Sequence, residues 1–93
     1  RGAPTPAPPA TQSVWTAEQA RQYASELESK GLKRQAIHAY LAYAQRPDTV
    51  PEERGNVYYK IGKLYMGLAQ YEDALAAFLK VRIADPHTKL EKD

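Results

Sequence analysis

Cysteine is absent from this 93-residue chain. That removes disulfide scaffolds and thiolate metal sites. Histidine occurs only at His38 and His87. Two such distant residues do not make the group of three or four ligands that zinc needs. Charge of one sign is also lacking: 13 basic groups face 11 acidic ones, for a net +2. No strong field is available to draw nucleic acid or an anionic membrane surface, so neither partner is expected. Long apolar runs are missing too. None approaches the ~20 residues that cross a bilayer, and membrane insertion is not expected. Phenylalanine and tryptophan occur once each, against seven tyrosines. Aromatic packing must therefore rely on tyrosine, expected where its hydroxyl can stay wet.

Proline and alanine crowd the first residues. "RGAPTPAPPATQ" holds four of the seven prolines. Proline fixes φ and lacks an amide donor, so residues 1–13 are expected to form an Ala/Pro-rich, extended linker. Helical signals begin at Thr16. Thr16 to Gln19 fits a capping box, with Trp15 covering the open end. Four helices follow by apolar periodicity. The first spans 17–30 and ends at Gly31. The second spans 33–46 and stops before Pro47. The third starts at Pro51, suited to a first turn, with Glu52 and Glu53 facing the positive end of the dipole. The fourth spans 71–84, with Tyr71, Ala74, Leu75, Phe78, Leu79 and Val81 as its apolar residues. Nothing alternates with period two, so the fold class is all-α.

The chain repeats itself. "AIHAYLAY" (36–43) aligns with "ALAAFLKV" (74–81) at an offset of 38 residues. The same offset sets Tyr23 over Ile61, Ala24 over Gly62 and Leu27 over Tyr65. The second copy resembles a tetratricopeptide repeat, a 34-residue helix–turn–helix unit. Its signature positions fall on Tyr58, Ile61, Gly62, Tyr65, Ala74, Phe78 and Pro86. Ala69 stands where glycine is usual, and Val81 where alanine is usual. The first copy matches at Ala20, Tyr23, Ala24, Leu27, Gly31, Ala36, Tyr40 and Tyr43. The resemblance covers about 72 of the 93 residues. It implies repeat one over 17–50, repeat two over 55–88, and the start of a truncated capping helix over 87–93. Together these make a repeat domain over 14–93, expected as a right-handed α-α superhelix. The offset exceeds 34 by four, about one helical turn. "PEER" at 51–54 should therefore lengthen the third helix backwards without turning its stripe.

Chemistry is thin. The acidic residues sit on polar faces or in first turns, and no nucleophile–base pair or glycine-rich phosphate loop is present. Lys30, Lys33 and Arg34 read as a solvated helix end. An enzyme is not expected, nor a cofactor or metal. The resemblance implies instead that the first helix of each repeat lines a concave groove for a protein or peptide partner. From repeat one this gives Arg21, Gln22, Ser25 and Glu28, beside Glu18. From repeat two it gives Asn56, Tyr59, Lys60, Lys63 and Met66. Two repeats leave an open surface, because stacks of this type usually need about three. Further repeats, or a second copy acting through Tyr71, Phe78, Val81 and Leu90, would cover it. Self-association as a homo-oligomer or scaffold is thus the alternative function.

Overall fold

The computed structural model describes residues 15–84, and every regular element among them is a helix. The helices are α1 (Ala17–Ser29), α2 (Lys33–Ala44), α3 (Pro51–Gly67) and α4 (Tyr71–Ala84). The expected linker at 1–13 and the expected helix start at 87–93, with Leu90, lie outside the described residues. No helix among the described residues is long and apolar enough to cross a membrane.

The helix ends follow local chemistry. Thr16 Oγ1 accepts from the Gln19 amide at 3.1 Å, and Gln19 Oε1 accepts from the Thr16 amide at 3.0 Å. The capping box is complete. Just outside it, Trp15 lies edge-on to Tyr23, with centroids 5.2 Å apart. Pro51 opens α3, which at 17 residues is the longest helix. Residues 51–54 form its first turn, and its bounds match the expected 51–67.

Both helix–helix turns close in the same way. After α1, the Leu32 amide donates to Leu27 O and the Gly31 amide to Glu28 O. After α3, the Gln70 amide donates to Tyr65 O and the Ala69 amide to Met66 O. Each set is a Schellman closure, which needs one left-handed residue. Gly31 supplies φ 80°, and Ala69 is held at φ 61°. The 38-residue offset therefore extends from sequence to backbone geometry. Ala69 bears a Cβ where glycine would be unstrained.

Packing proceeds in chain order: α1 on α2, α2 on α3, and α3 on α4. The two middle helices are covered on two sides and bury six residues each, whereas α1 and α4 bury three each. Ala24, Ala36, Gly62 and Ala74 are buried small residues that let backbones approach. At Gly62 the approach is so close that a Cβ would enter the Phe78 ring.

Coverage corrects the expected stripe of α4. Ala74, Ala77 and Val81 are buried, and Phe78 is half-buried. Tyr71, Leu75 and Leu79 point outward. In repeat one the residue equivalent to Leu75 is Ile37. Ile37 is 2% exposed and Leu75 60% exposed. Only α3 packs on α4 to any extent, so periodicity alone overstated what this helix buries. Val81, expected on the open surface, belongs to the core for the same reason.

The turn between α2 and α3 is closed by side chains. Arg54 on α3 donates from Nε to Ala44 O at 2.7 Å, and from Nη2 to Thr49 O at 2.6 Å and Arg46 O at 3.2 Å. Thr49, buried, donates to Tyr43 O at 2.7 Å. Arg46 reaches Trp15 O at 2.7 Å and Asp48 at 2.9 Å. These contacts satisfy carbonyls freed where α2 stops. The helix ends at Ala44, two residues short of the expected 46.

Two stability predictions follow from these turns. Ala69→Gly should stabilise the chain by about 0.5–1 kcal/mol, and Gly31→Ala should destabilise it by about 1 kcal/mol. Urea unfolding of both variants checks this. Equal signs for the two would contradict the shared left-handed closure. Arg54→Met should cost about 2–3 kcal/mol by leaving several carbonyls unpaired, and Arg54→Lys should recover less than half, because an ammonium lacks the planar fork.

Candidate binding groove

The expected site residues are all at least partly exposed on α1 and α3, but they do not form one surface. Glu28, Asn56, Tyr59, Lys60 and Lys63 come together with Leu64 around a hollow of about 390 Å³. Glu28 reaches it from the end of α1, and the others from successive turns of α3. Arg21, Gln22 and Ser25 line a different, open hollow of about 680 Å³ beside Trp15 and Tyr23. Met66 is exposed but lines neither of these two. The groove thus separates into a compact part between α1 and α3 and a shallow part along α1.

Charge explains the difference in character. Arg21 is turned onto Glu18 at 2.6 Å, and Gln22 donates to the same carboxylate at 3.1 Å. The Arg21 hydrogen bond holds the Glu18 carboxyl below its ordinary range. In the shallow part Arg21 is thus paired along its own helix, and Glu26 adds a carboxylate to the lining. In the compact part Lys60 lies 3.6 Å from Glu28 and 5.8 Å from the Tyr40 ring centre. Lys63 stands 5.3 Å from the centre of the Tyr59 ring. That ring leans on Phe78, with centroids 5.7 Å apart. Two ammonium groups and the Asn56 amide face the hollow, against the one carboxylate of Glu28.

Glu28 is itself anchored. Tyr40 Oη donates to it at 2.8 Å. Tyr43 Oη likewise donates to Glu53 at 3.4 Å. Both tyrosines are buried, and their hydroxyls end on part-buried carboxylates, whereas Tyr59 and Tyr71 are exposed. Burial, reinforced by Glu28, pushes the Tyr40 phenol well above its usual range. Burial and then Glu53 raise the Tyr43 phenol. Residue pattern marked Tyr40 as a packing position only. Its tie to Glu28 joins α2 to α1, and nothing in the spacing of the two residues signalled it. Arg54 was missed as well, because an arginine inside a helical pattern looks solvated.

Among the described residues, no group of three or more His, Asp or Glu is arranged to hold a metal. Comparison with protein-family models, with curated proteins and with solved structures returned no match.

The phenol shifts set an alkaline limit on stability. Above about pH 10 unfolded tyrosines lose protons, while folded Tyr40 and Tyr43 keep theirs. The unfolded state then binds fewer protons, so stability falls as pH rises. Tyr40→Phe should cost about 1 kcal/mol at pH 8, through the lost hydrogen bond, and clearly less at pH 11. Urea midpoints at both values measure this. An unchanged difference would show that Tyr40 does not carry the shift.

Proposed function

We propose that the chain is a tetratricopeptide-type interaction module without catalytic activity, and that the hollow between α1 and α3 receives a segment of a partner protein. The observation that carries this is the convergence of Glu28 from one repeat with Asn56, Tyr59, Lys60 and Lys63 from the next. Three further features support the repeat assignment. The 38-residue offset recurs in both Schellman turns. Buried Ala24 and Gly62 occupy equivalent places, as do Ala36 and Ala74. The first helices of the two units stand close enough for Lys60 to reach Glu28.

The chemistry of the hollow favours one kind of segment. Lys60, Lys63 and the Asn56 amide donate to a carboxylate. Tyr59, backed by Phe78, offers an aromatic surface for an apolar side chain. An extended peptide with an acidic residue beside an apolar one satisfies both. A basic segment would meet two ammonium groups and be repelled.

Synthetic peptides of about eight residues, one panel acidic–apolar and one with lysine replacing the acidic residues, test this by NMR titration. The acidic panel should shift the amides of Asn56 to Lys63. Tyr59→Ala with Lys63→Ala should weaken that binding at least tenfold, about 1.4 kcal/mol. Binding that survives both substitutions unchanged, or that prefers the lysine panel, rejects the groove.

A further inference from the structure

The third helix has a second hollow on its other side. Tyr58, Ile61 and Tyr65 of α3 line a crevice of about 170 Å³, together with Leu41 of α2 and Ala76 and Ala77 of α4. At 3.6 residues per turn, these three α3 residues fall opposite Asn56, Lys60 and Lys63. The crevice is therefore separate from the hollow between α1 and α3. It exists because α2 and α4 both pack on α3 without packing extensively on each other. The two alanines on α4 are too small to fill the space between them.

We propose that this crevice is a binding site for a small aromatic carboxylate: a single ring that carries an anionic group. Its size sets the first limit. An apolar cavity of roughly 150 Å³ accepts one benzene ring, whereas drug-sized ligands occupy about 300 Å³ or more. The lining sets the second. An unfilled apolar space forfeits dispersion contacts. A flat ring between Leu41, Ile61 and the two tyrosine rings recovers them, with the edge and face contacts that aromatic groups favour.

Charge selects the group on the ring. Lys80 and Asp73 complete the lining. Lys80 Nζ stands 5.6 Å from the centre of the Tyr58 ring, and it pairs with no carboxylate among the described residues. Asp73 lies two turns away on α4 and accepts from Gln70 Nε2 at 3.0 Å. Gln70 is itself held by Arg34 Nη1 at 3.2 Å. The carboxylate of the crevice is thus engaged by its neighbour, while the ammonium leans on a ring that lines the site. A ligand carboxylate meets that ammonium, and a ligand amine is repelled by it.

A free molecule suits the crevice better than a peptide side chain. The walls are helix interiors, whose backbone groups are already paired. A peptide backbone laid across them would lose water without gaining partners.

NMR titration of the full chain with phenylacetate, phenylacetamide and phenethylamine tests this. Phenylacetate should bind with a dissociation constant of about 1 mM, shifting the amides of Ala76, Ala77 and Lys80. The amide should bind about fivefold more weakly and the amine not measurably. Lys80→Met should bring acid and amide to equal affinity. Ala76 is exposed, and leucine keeps good helix propensity. Ala76→Leu should therefore fill the crevice and abolish binding with an unchanged circular dichroism spectrum. Tyr59→Ala with Lys63→Ala, which disables the other hollow, should leave phenylacetate binding intact. Absence of saturable shifts up to roughly 10 mM phenylacetate overturns the proposal. So does binding that survives Ala76→Leu, or an amine that binds as well as the acid. An acetylated tripeptide ending in phenylalanine that binds about tenfold more tightly than phenylacetate overturns it too, by assigning the crevice to a chain terminus.

Discussion

A helix buries only the surface that another element covers, and that constraint organises this molecule. The α2 helix lies between α1 and α3, and α3 lies between α2 and α4. These two helices hold most of the buried residues, including Ile37, Tyr40, Tyr43, Val57, Ile61 and Leu64. The outer helices each lean on one neighbour, so each keeps one surface in water. On α1 that surface is polar, and it forms the shallow hollow beside Trp15. On α4 it is apolar, and it forms the ridge from Tyr71 to Ile83.

Close approach depends on small side chains at a few places. Gly62 admits the Phe78 ring, and the same ring supports Tyr59 at the edge of the groove. The packing of α3 on α4 and the shape of the candidate site are thus one arrangement. Tyr40 performs a similar link on the other side. It is a buried residue of α2, yet its hydroxyl holds Glu28, whose carboxylate faces Lys60. Core and groove are joined through single side chains, so the position of groove charges follows from packing beneath them.

The polar lock at residues 44–54 completes the frame. Arg54 gathers three carbonyls from the end of α2 and the following turn, while Thr49 and Arg46 bind Tyr43 and Trp15. The first turn of α3 thus supplies the arginine that closes the turn before it.

Much of this was legible in the residues. Thr16 and Gln19 announce a capping box, Pro51 a first turn, and Gly31 a left-handed closure, because each acts on its own backbone within a few positions. The 38-residue offset gave the order and length of the helices by the same local logic. The groove residues were legible only as a group on two helices. Their division into two hollows was not, because Glu18 captures Arg21 and Gln22 while Lys60 turns to Glu28. Periodicity likewise could not tell Ile37 from Leu75, since both sit on the apolar side of equivalent helices. Local sequence determined where helices begin, end and repeat. The tertiary structure decided which apolar surfaces are covered and which carboxylates the buried tyrosines hold, because those depend on neighbours distant in the chain.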